Sequence, residues 1–417
     1  MPSLFASFAL TTDGGNPQQN VRIEFQHNLI TKVTPDDSPQ PGDTLLNDCL
    51  VTPGLINTHT HLELSLLQRD PTPPHSFVDW LQTISARQPR HDPNHAARVI
   101  AATQTGIDQS LKFGVTCVGD ISQQSHLTRN VLANNPIRAV SFGEVLGRGG
   151  LQHLFEQTFA RAAQTSPAPD RLTPDRLRPG LSPHAPYTVD ATGYQRCVEL
   201  ADQLQQQLCT HLAETREERQ FLLDHTGPFR ELWEKLGMWQ NVTPPGVSPI
   251  EFARRVGLFE RHALFAHVND ITDGELDLLA TSNASVVWCP RTHDYFGHPH
   301  RTGPHPWRLM LERGINVCVA TDSVASAGDL DLLAELRLVR QQTGLPATAL
   351  IPLVTTRAAR ALRQPRSGSI APGFLADLSA FHVGPQPTPD AAIEALLARP
   401  TVVHGVWVDG VRAVSGS

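Results

Sequence analysis

Three successive rhythms of apolar and polar residues run along the chain. Residues 3 to 50 hold short alternating runs, SLFASFAL, VRIEF, LITKV and TLLND, broken by DGGNPQQN and TPDDSPQPGD. Alternation of period two between Pro/Gly-rich turns predicts a small β-sheet. From Val51 the pattern changes to short apolar runs, each followed by a longer stretch with apolar residues at helical spacing. The apolar runs are GLINTHTH, VTCVGDI, RAVSFGEV, LRPGLSPH, LCTHLAE, ALFAHV, SVVWCP and INVCVATD, the last ending at Asp322. Segments such as HAARVIAATQTGIDQSL, TGYQRCVELADQLQQQ and GELDLLATS supply the helices. Strand followed by helix, repeated eight times, predicts an α/β fold, a closed (β/α)8 TIM-type barrel with its active site at the C-terminal strand ends. After the helical stretches DLDLLAELRLVRQ and PATALIPLVTTRAARAL, period two returns in ADLSAFHV and VVHGVWVDGVRAV. These tail strands are expected to join the N-terminal sheet. The expected division is a β-sandwich domain from residues 1–52 and 366–417, with the barrel at 53–365 between them.

Composition narrows the classes without changing this outline. At 417 residues the chain exceeds the size at which one hydrophobic core stops growing, so a large barrel with a smaller companion is reasonable. No apolar run reaches the ~18 residues a membrane span needs. The opening MPSLFASFALTTDGGN lacks a basic segment and a long apolar core, so a cytoplasmic location is expected. A net charge of -7 without a Lys/Arg cluster argues against nucleic acid and leaves a small molecule as the partner. A homodimer is compatible with all of this. The six cysteines, Cys49, Cys117, Cys197, Cys209, Cys289 and Cys318, show no C-x-x-C spacing and read as reduced core thiols. The Pro-rich DPTPPH and QTSPAPDRLTPDRLRPG read as surface loops.

Chemistry concentrates at the strand ends. His59 and His61 sit at i and i+2 of the first barrel strand, so their side chains share a face. An H-x-H pair alone is weak, but His211 ends the fifth strand, His267 the sixth and Asp322 the eighth. Imidazoles and a carboxylate converging on a barrel mouth suit a borderline cation such as zinc or iron. Glu214 stands three residues after His211, where it can move a proton above the metal or begin the next helix as a first-turn charge.

The motifs TPGLINTHTHLELS, LSPHAPYTV, THLAETREE, AHVN, CPRTH and ATDSVAS, in that order, resemble the amidohydrolase superfamily, specifically its deaminase and chlorohydrolase branch. The resemblance runs from about residue 45 to the C-terminus and is weakest at 65–135. It implies His59, His61, His211 and Asp322 as ligands of one divalent metal ion per chain, zinc before iron. It makes Glu214 a proton shuttle and Asp322 the acceptor of the water proton. His267 is a ligand in binuclear members and a neighbour of the attacking water in mononuclear deaminases. The second role fits better, because none of Lys32, Lys112 and Lys235 ends the fourth strand, where binuclear members carry a bridging lysine. That strand ends instead in His184, which in similar enzymes faces substrate. Within the branch, HLELS and CPRTHDYFGH look most like aminodeoxyfutalosine deaminases, which implies a purine-type nucleoside analogue losing its ring amine as ammonia.

Softer expectations complete the pocket. Glu63, on the same strand parity as the ligand pair, would bind substrate or brace the ligands. Glu144 and Arg148 in FGEVLGRGG would hold substrate polar groups or stay solvated. In PRTHDYFGHPHRTGPHPW, His293 is the best placed to meet a ligand, while His298, His300 and His305 would need to converge to form a second metal cluster. Phe77 and Trp80 in HSFVDWL would cover the pocket as a lid or pack a helix. Two rival readings are a chlorohydrolase using the same metal, and a non-catalytic barrel scaffold.

Overall fold

The computed structural model describes residues 2–11, 17–88, 92–148, 152–164 and 176–415. Most of the QTSPAPDRLTPDRLRPG segment lies outside the described residues. Strand formation follows the apolar runs closely. The barrel is a ladder of eight parallel strands: β5 (Leu55–Thr60), β6 (Val115–Ser122), β7 (Arg138–Val145), β8 (Leu177–Pro183), β9 (Gln207–Leu212), β10 (Leu264–His267), β11 (Ser285–Trp288) and β12 (Asn316–Val319). Seven of these strands are buried along their whole length, all but β8. That is why they read as continuous apolar runs rather than alternating ones.

Closure between the last and first strands is made by side chains as much as by backbone. The Asp322 amide donates to the His59 carbonyl at 3.0 Å. Asn57 then stitches the seam, accepting from the Thr321 amide at 3.1 Å and donating to its hydroxyl at 2.8 Å. The barrel interior is filled by Ile56, Val140, Phe142, Leu264 and Val287, together with Cys117, Cys209, Cys289 and Cys318. All six cysteines are free and buried. Burial pushes the Cys117 and Cys318 thiols up to about 12, so they are inert packing groups.

The two chain ends meet in a seven-stranded mixed sheet, in which β1 (Ser3–Ala9), β2 (Gln18–Gln26), β3 (Leu29–Pro35) and β4 (Asp43–Pro53) join β13 (Leu378–His382), β14 (Val403–Val408) and β15 (Val411–Ser415). The pairing of β1 with β4 is parallel and the others are antiparallel. The turn between β14 and β15 is Asp409–Gly410, both at positive φ (52° and 75°), the conformation a two-residue hairpin requires. β4 runs into the barrel through Gly54, whose position admits no side chain: a Cβ there would lie 2.0 Å from Thr116 Oγ1.

Two helical expectations are corrected by the structure. The stretch PATALIPLVTTRAARAL is split into Ala347–Leu350, a tight 3-10 turn at Ile351–Val354 and Thr356–Ala361. Pro352 lacks the amide that would carry one helix through. Between β9 and β10 the chain inserts three helices, Arg216–Asp224, Pro228–Lys235 and Pro249–Arg255, instead of one. The middle helix overhangs the mouth of the barrel.

Candidate active site

Five groups meet at the C-terminal mouth. Ligand-capable atoms of His59, His61 and Asp322 lie within 4.8 Å of one another, as do those of His59, His211 and His267. The His59 and His61 Nε2 atoms stand 3.7 and 3.5 Å from Asp322 Oδ1. Those separations are long for hydrogen bonds, but ligands at about 2.1 Å from a shared tetrahedral centre lie about 3.4 Å apart. Both ring nitrogens of His59, fully buried, lack any hydrogen-bond partner. Buried polar atoms are rarely left so, and a cation shared with Asp322 would take the Nε2 lone pair. The residues present therefore fit one divalent metal ion.

Neighbours fix which atoms face the centre. His211 Nδ1 donates to the His184 carbonyl at 2.9 Å, turning Nε2 inward. The His61 ring hydrogen-bonds the Ile121 carbonyl. Ser326 donates to Asp322 Oδ2 at 3.0 Å, leaving Oδ1 for the histidines. Burial holds the His59, His211 and His267 imidazoles well below their usual range and His61 at about 4, so all four are neutral donors at pH 7.

The backbone is strained where it presents these groups. Ala213, His267, Val268 and Asp322 all adopt positive φ, between 51° and 75°. Cross-strand bonds hold them there, including Val268 N to Leu212 O at 3.0 Å and Asp270 N to Ala213 O at 2.9 Å. Such concentration of unfavourable backbone at one mouth is typical of a reaction centre.

Glu214 is buried, and its Oε1 lies 3.7 Å from His267 Nε2. The helix that follows begins after its N-cap Thr215, so Glu214 precedes it and is no first-turn residue. Its carboxyl is pushed well above the usual range by burial and then by the charges of Asp322 and Glu218. Glu218 belongs to the first turn of that helix. Its two carboxylate oxygens accept the Ala213 and Glu214 amides at 2.9 Å each, locking the loop that aims Glu214. The T-x-x-E spacing of Thr215 and Glu218 was the available signal, since it marks a helix start.

The centre opens into a cavity of about 470 Å³. His61, Glu63, Glu144, His184, His211, Glu214, His267 and Asp322 form its polar part. His184 Nδ1 bonds Thr188 Oγ1 at 2.6 Å, and its Nε2 lies 3.9 Å from Glu144 Oε1, which has no hydrogen-bond partner. The opposite wall is apolar. It is built by Phe77, Trp80 and Leu81 from the helix Phe77–Ala86 and by Phe229, Leu232 and Trp233 from Pro228–Lys235. Phe77 and Trp80 both pack on Phe296, at ring-centroid distances of 5.1 and 4.8 Å, so they cover the cavity and pack their helix at once. The Pro228–Lys235 wall was missed because its apolar residues fall in the inserted helices.

Three expectations are corrected. Glu63 borders the cavity, but it lies in a 3-10 turn, Leu62–Leu64, rather than on the strand. Its carboxylate accepts from Ser122 Oγ (2.6 Å) and the Gln123 and Gln124 amides (3.0 and 3.1 Å), so it braces the end of β6. Arg148 does not line this cavity. It lies under the neighbouring loop, donating to His225 Nε2 at 2.6 Å. His293 is buried behind the site, 6.4 Å from the Trp288 ring, and also stays out of the cavity. Among the described residues His298, His300 and His305 form no metal cluster, as His300 is exposed and His305 Nε2 donates to the His267 carbonyl at 2.7 Å.

The profile of the amidohydrolase family matches residues 50–413. The chain belongs to the amidohydrolase family. As a member it is an enzyme, and its histidine-rich centre groups side chains that could hold a metal ion. A 5-methylthioadenosine/S-adenosylhomocysteine deaminase of Halalkalibacterium halodurans is 30% identical over 342 residues, covering 78% of this chain and 71% of its own. The Helicobacter pylori aminofutalosine deaminase, solved with methylthio-coformycin, shares the fold at a TM-score of 0.84 and 24% identity, over 99% of this chain and 100% of its own. An adenosine deaminase of Xanthomonas campestris with bound zinc does so at 0.80 and 23%, over 99% and 93%. Among the described residues no helix is long and apolar enough to cross a membrane.

Proposed function

We propose that this amidohydrolase is a hydrolytic deaminase that replaces the ring amine of a purine-type nucleoside by oxygen and releases ammonia. The observation that carries the reading is the cluster of neutral imidazoles around Asp322, with both ring nitrogens of His59 unpartnered and a protonatable Glu214 beside them. His59, His61, His211 and Asp322 would hold one divalent cation, zinc before iron, which supplies Lewis-acid activation of water. Asp322, through the Oδ1 that Ser326 leaves free, accepts a proton from the attacking water. Glu214 delivers its proton to the ring nitrogen beside the attacked carbon, making that carbon more electrophilic. His267, within reach of Glu214, orients the water. Collapse of the tetrahedral adduct expels the amine, which takes the proton held by Asp322 and leaves as ammonia, while the adduct's hydroxyl proton returns to Glu214 and the carbon becomes a ring carbonyl. His184 and Glu144 are placed to bind ring or sugar polar atoms. We assign this chemistry to a barrel domain at 53–365, flanked by a domain from 1–52 and 366–417.

The apolar wall of Phe77, Trp80, Phe229 and Trp233 suits an aryl or alkylthio group on the sugar. Aminodeoxyfutalosine is the specific substrate we propose, with methylthioadenosine as its alkylthio counterpart. Ammonia release from aminodeoxyfutalosine, methylthioadenosine, adenosine, adenine and a chlorinated triazine tests it. The extended nucleosides should exceed adenine in kcat/KM by about a hundredfold or more, which is about 2.7 kcal/mol. Equal rates with the free base, or reaction of the chlorinated ring alone, would overturn the reading. Purified protein should carry about one equivalent of metal.

A further inference from the structure

A second, unassigned concavity lies beside the first. It has a volume of about 580 Å³ and is floored by Arg148, with Arg255, Thr192 and Gln195 at its sides and Val242 and Val247 as an apolar surface. Arg148 is only 7% exposed, yet neither of its hydrogen-bond partners is a carboxylate. Nη2 donates to His225 Nε2 at 2.6 Å, and His225 Nδ1 in turn donates to the Val242 carbonyl at 3.0 Å, so this imidazole is neutral. Nη1 reaches the Pro186 carbonyl at 3.4 Å, and the guanidinium lies 4.9 Å from the centre of the Phe221 ring.

Other buried arginines are treated differently. Arg138 meets Asp377 and Asp409, Arg291 meets Asp329 and Glu335, and Arg22 meets Asp36 and Asp43. Arg129 is saturated by the carbonyls of Ser141, Ala162, Gln164 and Gly180. A buried cation with no carboxylate bonded to it directly is costly, and a bound anion would lower that cost. At the rim, Arg255 shares the Glu251 carboxylate with Arg254, which leaves the pair with an excess positive charge. Among the described residues the one carboxylate in the wall is Asp190, whose charge acts on Arg148 without a hydrogen bond to it and whose Oδ1 caps the Gly193 amide of the helix Ala191–Leu204.

We propose that this concavity is a binding site for a small oxyanion, phosphoryl or carboxylate, carrying an apolar body. Arg148 and Arg255 pair with the oxyanion, Thr192 and Gln195 hydrogen-bond it, and Val242 and Val247 receive the apolar part. The ligand would bear on the active site through Arg148, whose Nη1 holds the Pro186 carbonyl in the loop carrying His184 and Tyr187.

Calorimetric titration of the metal-loaded enzyme with inorganic phosphate, and separately with benzoate, tests the site and distinguishes a phosphoryl from a carboxylate source. At least one should bind saturably at one per chain, in the millimolar range or tighter. Arg255→Gln should weaken that binding about tenfold and Thr192→Glu should abolish it. Both residues are clear of the catalytic cavity, so turnover should be unchanged. Arg148→Gln should abolish binding as well; if it fails to fold, the two rim variants carry the test. Absence of saturable binding by either probe up to about 10 mM, or wild-type affinity in both rim variants, overturns the proposal, the second result placing the anion at the metal centre.

Discussion

Two buried ionic groups sit at opposite faces of the barrel, and they are built on opposite rules. On the side of the terminal sheet, Arg138 donates to Asp377 at 3.0 Å and to Asp409 at 2.6 Å, while the Asp409 amide donates back to Asp377 at 2.8 Å. Direct ion pairs and hydrogen bonds join the groups there, with Asp409 Oδ2 left without a hydrogen-bond partner, and the cluster ties β7 to the strand-end loops at Asp377 and Asp409. At the mouth, His59, His61, His211, His267, Asp322 and Glu214 approach one another without bonding, at 3.5 to 3.7 Å where their ionic distances are resolved. The first cluster is bonded through its own members, whereas the mouth cluster needs a ligand to join its members. Incompleteness under burial, rather than charge itself, separates the reactive group from the structural one.

The contrast is broken most directly from its bonded side. Arg138→Met leaves two buried carboxylates without their cation, and stability should fall by about 3 to 5 kcal/mol, read from urea unfolding. Turnover per folded molecule should be unchanged. A loss under about 1 kcal/mol would mean that the cluster is not the structural counterpart claimed for it. Glu214→Gln should do the reverse: the fold and metal content persist while turnover falls by about a hundredfold or more, the scale of a lost general acid. Near-normal turnover would reduce Glu214 to a loop residue. His211→Ala should drop metal content well below one equivalent, and unchanged occupancy would remove His211 from the centre.

How much of this was visible in the sequence follows from the same physics. Eight parallel strands buried on both faces leave apolar runs that no solvent-facing position interrupts, so GLINTHTH through INVCVATD mapped directly onto β5 to β12. The centre was legible because strand ends of a barrel converge, which brings His59, His211 and Asp322 together from distant positions. What failed lay in loops, where backbone direction is not periodic. Glu63 had strand parity on paper, but a 3-10 turn redirected it toward β6. Arg148 and His293 had suitable chemistry and the wrong side of a loop. Glu218 and Ser326 act on the centre through other residues: T-x-x-E spacing marks Glu218 as part of a helix start, not as the brace of the loop before it.

On the cavity's apolar wall, Trp80→Ala should raise KM about tenfold for a nucleoside with an aryl or alkylthio extension, about 1.4 kcal/mol, and leave adenosine nearly unaffected. Ring contact with Phe296 at 4.8 Å places the indole at the edge of the cavity, so the substituted helix should keep its fold. An equal change for both nucleosides would show that the wall shapes the whole site instead of discriminating the extension.

The smallest effect concerns the histidines behind the mouth, which are buried like the ligands but belong to neither cluster. Burial holds His298 and His305 at about 3 and His293 at about 4. An unfolded histidine titrates near 6.5, so between about pH 6.5 and those lower values the unfolded chain binds protons that the folded chain refuses. Stability from these neutral imidazoles is therefore complete above about pH 6.5 and is lost as pH falls, levelling off only near pH 3. At pH 5.5 the loss is about 1 kcal/mol for each imidazole. Because the mouth histidines titrate in the same window, the wild-type slope alone does not isolate this group. The difference between wild type and His298→Gln does: the variant should lose less stability on going from pH 7 to pH 5.5, by about 1 kcal/mol, in urea unfolding at matched ionic strength. Parallel curves for the two proteins would mean that His298 takes up its proton in the folded state, and that the region behind His267 is open to water in a way its burial does not suggest.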